Sequence, residues 1–266
     1  MIETTIDHFD LMQIARSGQC FRMNPIGVGR FAVIAGEMRV VVSQSGRMFR
    51  FECGRDEYER VWRRYFDLDA DYAAYIDSVA ADDAFMREAV AFGSGMRVLR
   101  QDPWEAAVSF VLSQNNNIPR IKVLIERLCA RYGRRCVSAD GTAYHGFPTR
   151  DALRAARVDD VRALGAGYRD RYIVALARCD IDFAKLAALP REDAYRQLTA
   201  VPGIGDKVAN CILLYGLHHT DAFPVDTWIR RVIVRHYGQG FPFERYRGYA
   251  GIMQQYLFYY GRCGSA

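Results

Sequence analysis

Leu198-Thr-Ala-Val-Pro-Gly-Ile-Gly-Asp-Lys-Val-Ala-Asn-Cys211 constrains this chain more than any other stretch. Helical patterns on both sides are joined by Val201-Pro202-Gly203-Ile204-Gly205, a hairpin with two glycines. Such a turn presents bare backbone N–H groups at the start of the second helix, where they and the helix dipole favour a phosphate. The spacing is not that of a P-loop, and Val208 stands where a G-x-G-x-x-G loop needs its third glycine. Two readings stay open on the hairpin alone: a helix–hairpin–helix that grips a nucleic-acid backbone through Gly203 and Gly205, or an ordinary tight connection.

Charge favours the first. Residues 1–95 carry 11 Lys and Arg against 15 Asp and Glu, whereas residues 96–266 carry 25 against 16, so a polyanion should dock on the second part. Only three of the 36 basic residues are lysines, Lys122, Lys185 and Lys207. Where nearly every positive charge is written as arginine, a lysine at the start of the hairpin's second helix invites chemistry that arginine cannot perform. An amine held near a helix N-terminus and other cations gives up its proton more readily and becomes a nucleophile; the plainer alternative is a phosphate contact. Nineteen residues on, Phe223-Pro-Val-Asp-Thr-Trp228 opens another helix. Asp226 reads as its N-cap, or as a carboxylate held rigid beside a reacting centre.

The rest of the chain reads as an α+β protein. Phe31–Ile34, Arg39–Val42 and Met48–Phe51 are β-branched or aromatic runs separated by turns at Gly36-Glu37 and Ser45-Gly46. Tyr58, Val61, Trp62, Tyr65 and Phe66 follow at helical spacing. From about residue 82 the pattern is helical throughout. Asp102-Pro-Trp-Glu105 is a helix start with a capping Asp, Pro at the first position and Glu at the third. Asn115–Asn117 end that helix, and Pro119 opens the next, whose stripe is Ile121, Leu124, Ile125, Leu128 and Tyr132, with Gly133 as the stop. Further helices fit 150–157, 168–178, 191–200, 206–217, 226–237 and 244–260. The division expected is an antiparallel β subdomain with packing helices over 1–95 and a helical part over 96–266, with the helix–hairpin–helix at about 191–217.

No apolar run approaches the roughly 20 residues of a membrane helix, and the acidic start resembles no secretion or transit signal. Seven cysteines with no C-x-x-C pair argue against a disulfide framework, a zinc site or a four-cysteine iron–sulfur cluster, and for a reducing compartment.

Hairpin, lysine and Pro-Val-Asp together resemble the helix-hairpin-helix superfamily of DNA glycosylases. Further segments narrow the match to the 8-oxoguanine DNA glycosylase/lyase family: Ser17-Gly-Gln-Cys-Phe-Arg22, Gln101-Asp-Pro-Trp-Glu105, Ser109-Phe110, Asn115-Asn-Asn-Ile-Pro-Arg120, Gly146-Phe-Pro148, Leu164-Gly-Ala-Gly-Tyr-Arg-Asp-Arg-Tyr172, and Tyr249-Ala-Gly with Gln254 and Leu257-Phe258. They occur in the family's order and cover nearly the whole chain.

The resemblance implies that Lys207 attacks the deoxyribose C1′, displaces the base and forms a Schiff base that permits β-elimination, while Asp226 stabilises the oxocarbenium-like sugar and assists proton transfers. It gives Gly18 a carbonyl that accepts the N7–H of 8-oxoguanine, a hydrogen that guanine lacks. Gln254 reads the Watson–Crick edge of the extruded base, and Phe258 and Cys211 form the two sides of its stacking slot. Asn115 fills the hole left in the duplex, Tyr168 wedges it, and Arg120 and Arg169 contact the opposite cytosine. Taken singly, Gln254 reads as a solvated helix residue, Phe258 as core and Cys211 as a small buried hydrophobe. Trp228 departs from the eukaryotic members, which carry a phosphate-contacting histidine there; a nearby arginine could take over that contact.

The expectation is therefore a glycosylase/lyase acting on 8-oxoguanine opposite cytosine in double-stranded DNA, with ring-opened oxidised guanine as a second substrate. No metal or organic cofactor is called for, although a monovalent cation at the hairpin is allowed. The protein should be a monomer that is not secreted, cytoplasmic at the nucleoid in a bacterium or nuclear in a eukaryote. The alternatives are a monofunctional glycosylase for alkylated bases, which the hairpin lysine disfavours, and a non-catalytic helix–hairpin–helix DNA-binding module. The absence of a C-terminal cysteine cluster argues against the endonuclease III-like branch.

Overall fold

The computed structural model describes residues 1–238 and 240–264. It is mainly helical with an N-terminal antiparallel sheet, as the periodicities require. Five strands, β1 (Ile2–Thr5), β2 (Met23–Gly27), β3 (Arg30–Ala35), β4 (Met38–Ser45) and β5 (Met48–Phe51), lie in the order β1-β5-β4-β3-β2. Phe31 faces Val42 and Val33 faces Val40 across β3 and β4, so alternate residues of β3 enter the core. Gly36 and Gly46 take φ of +58° in two-residue hairpins, a region where glycine carries no Cβ penalty. The second turn is Gly46-Arg47 rather than Ser45-Gly46, because Ser45 still pairs with Met48. Neither β1 nor β2 was legible in sequence: β1 is a four-residue edge strand, and β2 is an edge strand containing Pro25 and a register shift. A small hairpin of β6 (Arg135–Val137) and β7 (Ala143–His145) was also missed.

The helices that matter here are α1 (Leu11–Arg16), α2 (Ala84–Phe92), α3 (Pro103–Ser113), α4 (Ile118–Tyr132), α5 (Asp170–Arg178), α6 (Arg191–Thr199), α7 (Asp206–Cys211), α8 (Thr227–Val232) and α9 (Ala250–Cys263). The α3 start is as read: Asp102 caps it by accepting from the Glu105 N–H at 2.8 Å, with Pro103 in the first turn. Asn117 likewise caps α4 through the Arg120 N–H. Helices α7 and α8 each continue through a π-wound turn, to Gly216 and Tyr237. Two expected helices are corrected. The 150–157 helix stops at Arg154 before a fresh turn at Val158. The 244–260 helix begins only at Ala250 and runs on to Cys263, because residues 243–246 form a separate 3₁₀ turn and Gly248 sits at φ +86°.

One apolar core runs from the sheet through α3 to α9. The last helix is tied back to the first third of the chain. Gln255 donates to the Ser17 carbonyl at 2.8 Å, and Tyr256 donates to that of Met96 at 3.3 Å. Ser17 and Gln19 are fully buried, and the Gln19 side chain donates to the Arg97 carbonyl and accepts from the Leu99 N–H. This frame pins Gly18 between them at φ +75°. All seven cysteines are free.

Glu105 does not close a reciprocal cap. Its carboxylate reaches the sheet and accepts from the Gly36 N–H at 2.7 Å. Burial pushes it up to about 7, with Arg22 only partly offsetting that. A raised carboxyl destabilises the fold as it ionises, so the penalty grows as pH rises from the unfolded value near 4.5 and is complete above about 7. Glu105→Gln keeps the acceptor and removes the titration. Its unfolding free energy relative to the parent should therefore climb by up to ~3 kcal/mol between pH 4.5 and 8, which urea melts across that range will measure.

Candidate active site

The hairpin forms as the glycines require. Gly203 sits at φ +90°, and a Cβ there would collide with the ring of Tyr172, so the close approach of hairpin and α5 excludes every other residue. Gly205 is the N-cap of α7, with extended backbone and open space beyond its Cα. Its lack of a side chain leaves the first N–H groups of α7 uncovered, which is the arrangement a phosphate needs. Gln114 donates from Nε2 to the Gly203 carbonyl at 3.0 Å, tying the end of α3 to the hairpin.

Lys207, on the first turn of α7, points back toward α3. Its Nζ donates to Ser113 Oγ at 3.1 Å and stands 5.0 Å from the centre of the Phe110 ring. One turn on, Cys211 is buried. Burial pushes its thiol up while the nearby Lys207 cation pulls it partly back. Asp226 is the N-cap of α8, its Oδ1 accepting from the Ile229 N–H at 2.8 Å. Both Lys207 and Asp226 line one open cleft of about 810 Å³, together with Gly205, Ser113, Asn115, Tyr168, Trp228 and Arg230. Asp226 is thus a cap and a wall of the cleft at once.

The rim of that cleft is built from the α3–α4 turn and the segment before α5. Asn115 is exposed with φ +46°, a left-handed conformation that asparagine tolerates. Arg169 holds the turn: it is 5% exposed and donates to the carbonyls of Gln114, Asn115 and Ala166. In this conformation its guanidinium braces the turn rather than standing free for an opposite base. It also stacks 4.6 Å from the Tyr168 ring, which is 45% exposed. Arg120 is exposed, its Nη2 reaching the Gly165 carbonyl at 3.5 Å. Trp228 is 47% exposed, with Arg231 over its ring at 5.7 Å.

A second group of expected residues lies along α9. Gln254 is 3% exposed, so the solvated alternative is wrong; Nε2 donates to the Pro224 carbonyl at 3.0 Å, while Oε1 has no partner. Phe258 packs against Gly18, where an added Cβ would lie 3.1 Å from its ring. The Pro224 contact brings the Gln254 end of α9 two residues from Asp226.

Residues 1–107 match the family described as 8-oxoguanine DNA glycosylase, N-terminal domain, and residues 108–240 match the HhH-GPD superfamily of base excision DNA repair proteins. The solved structure of MBOgg1 with a low affinity DNA ligand superposes with a TM-score of 0.94 at 34% identity, covering 99% of this chain and 96% of that one. The chain belongs to the 8-oxoguanine DNA glycosylase family. Within that family, the Clostridium acetobutylicum 8-oxoguanine glycosylase/lyase, solved with double-stranded DNA containing cytosine opposite 8-oxoG, is similar at TM-score 0.91 and 32% identity over 98% of this chain and 94% of that one. The N-glycosylase/DNA lyase of Saccharomyces cerevisiae is 34% identical over 204 residues, 70% of this chain; the chain spans about half (54%) of that relative's length.

Ser113 and Phe110 seat the Lys207 amine, Gln114 locks the hairpin, and Arg230 stands in the cleft beside Trp228. The sequence left three of these side chains unnoticed and gave Phe110 no role beyond its place in the Ser109-Phe110 segment. Ser113 and Phe110 sit at i, i+3 on the helix that carries the Gln-Asp-Pro-Trp-Glu start, a signal available in principle but indistinguishable from core packing. Among the described residues, no helix is long and apolar enough to cross a membrane.

Proposed function

We propose that this chain is a DNA glycosylase/lyase that excises 8-oxoguanine from duplex DNA, preferentially opposite cytosine, with ring-opened oxidised guanine as a second substrate. The observation that carries the proposal is the shared cleft in which Lys207 and Asp226 meet beneath the open N–H groups of the hairpin. In this reading the α7 N-terminus holds a backbone phosphate, and the target nucleotide swings out between Cys211 and Phe258. The Lys207 Nζ attacks C1′ and the C1′–N9 bond breaks; the departing base takes the bonding electrons and then a proton. The nitrogen then loses one proton and its lone pair opens the ring as O4′ takes a proton, giving the protonated imine, from which loss of a C2′ proton expels the 3′ phosphate. Asp226 stabilises the cationic sugar and serves in the proton transfers.

Asn115 and Tyr168, exposed on the rim, occupy the gap and wedge the duplex. Arg120 faces the estranged cytosine, and Arg169 acts there through the turn it braces. Arg230 takes the phosphate contact that Trp228 cannot make. Gly18 and Gln254 read the two edges of the base, the free Oε1 of Gln254 matching the N1–H and N2–H donors of a guanine edge. The chemistry requires no metal or organic cofactor and allows a monovalent cation at the hairpin. The protein would act as a monomer where the genome lies, in the cytoplasm of a bacterium or the nucleus of a eukaryote.

Single-turnover assays on duplexes with 8-oxoguanine opposite cytosine, 8-oxoguanine opposite adenine, an alkylated base, or guanine test this. Release of free 8-oxoguanine with strand nicking, faster opposite cytosine, is the expected result. Base release from the alkylated duplex without nicking would replace the proposal with the monofunctional alternative, and binding without turnover on all four would leave a DNA-binding module.

A further inference from the structure

Among the described residues, six buried side-chain polar atoms lack a hydrogen-bond partner, and two of them lie on one stripe of α9: Gln254 Oε1 and Arg262 Nη1. Phe258 stands midway, at i+4 from the first and i−4 from the second, so the three share a helix face. The two orphans are of opposite kinds. Oε1 accepts and Nη1 donates, and a buried polar group left unpaired is costly until a partner arrives. Their backbone origins are about 12 Å apart along the axis, with the Phe258 ring between them.

The Arg262 end of this stripe abuts Gly18. A Cβ on Gly18 would lie 3.3 Å from Arg262 Nη1 and 3.1 Å from Phe258 Cε1, so guanidinium, ring and glycine meet at one corner. The guanidinium carbon sits 5.2 Å from the Phe258 ring centre, which holds the cation at the ring while Nη1 stays unpaired. The corner therefore brings a main-chain peptide and an unsatisfied cationic donor together.

We infer that Arg262 is a specificity-determining residue that donates a charge-assisted hydrogen bond from Nη1 to the C8 oxygen of the oxidised base. The inference rests on the function proposed above, which puts the base on Phe258 with its Watson–Crick edge toward Gln254. The opposite, five-membered edge then falls at the Gly18 corner. In 8-oxoguanine that edge carries an N7–H donor and an O8 acceptor side by side; in guanine it carries a bare N7 acceptor and a C8–H. A peptide carbonyl reads only the new donor, and Arg262 reads the new oxygen, so undamaged guanine leaves Nη1 facing a C–H.

Arg262→Met keeps the stem that packs on Phe258 and removes the donors. Single-turnover excision of 8-oxoguanine opposite cytosine should fall about ten- to a hundredfold, the loss of one hydrogen bond to a charged group. Cleavage of a preformed abasic site in the same duplex should stay within about twofold of the parent, because no base occupies the corner. The 8-thio analogue of the base, a weaker acceptor at the same position, should shrink the gap between parent and Arg262→Met, as a chemical double-mutant cycle requires. Equal losses on 8-oxoguanine and on the abasic site would show Arg262 to be structural and overturn the inference. So would an unchanged excision rate, or an undiminished gap with the 8-thio base. A parent protein that cleaves the abasic site but leaves 8-oxoguanine intact would instead overturn the proposed substrate and the inference with it.

Discussion

Lys207→Gln is expected to lower base excision and strand cleavage by at least about a thousandfold, the scale seen when the nucleophile of a covalent mechanism is removed. The amide is one bond shorter and uncharged, but its N–H can still donate toward Ser113 and its stem can still pack by Phe110, where the native amine is held. What it lacks is a lone pair able to form a bond to C1′. Folding and DNA affinity should therefore be nearly preserved, since the phosphate contacts assigned to the hairpin come from backbone N–H groups rather than from this side chain. Thermal melts and a titration with 8-oxoguanine duplex will separate these effects. A variant that binds as the parent does and excises nothing supports a chemical role. One that loses binding in parallel with activity would return Lys207 to the plainer role of a phosphate contact.

Asp226→Asn carries the second large effect. Asp226 has two occupations, and asparagine keeps one of them. Its side-chain oxygen can still accept from the Ile229 N–H and cap α8, and Asn and Asp are nearly equivalent at that position. The negative charge beside the developing sugar cation disappears. Excision should fall about a hundred- to a thousandfold while the melting temperature moves by no more than a degree or two. Asp226→Ala should show the same catalytic loss together with about 1 kcal/mol of destabilisation from the missing cap. If Asn restores most of the activity that Ala loses, the cap alone matters and the electrostatic role is wrong.

Local chemistry made much of this molecule legible before any coordinates. The Val201–Gly205 hairpin, the Asp102 cap and the β3–β4 alternation are each decided by neighbouring residues, and each stands where the sequence places it. What escaped depends on distant partners. β2 forms although Pro25 interrupts it, because as an edge strand it needs hydrogen bonds on one side only. Residues 244–249 carry helical composition but form only part of a 3₁₀ turn and not α-helix, since Gly248 turns the chain into α9 at a positive φ that no apolar pattern reveals.

The candidate site divides in the same way. Lysine scarcity pointed to Lys207, and the family motifs supplied Gly18, Cys211, Gln254 and Phe258. Ser113 and Gln114 could not be told from any polar residues near a helix end, because their partners, Lys207 and the Gly203 carbonyl, lie about 90 residues along the chain. The resemblance put Arg169 against the opposite cytosine; here it is buried and donates to three backbone carbonyls, which no sequence pattern announced. Arg262 continues the Gln254–Phe258 stripe by one more i+4 step; only its buried, unpartnered Nη1 distinguishes it from an ordinary arginine near a helix C-terminus.

The central claim is that Lys207 forms a covalent Schiff base with the sugar it strips of its damaged base. Borohydride trapping on a duplex with 8-oxoguanine opposite cytosine, followed by proteolysis and mass analysis of the adduct, tests it most directly. A reduced protein–DNA adduct carried by the peptide containing Lys207, and absent with Lys207→Gln, is the expected result. Free 8-oxoguanine released with no adduct, or an adduct on a peptide containing Lys122 or Lys185 instead, would contradict it.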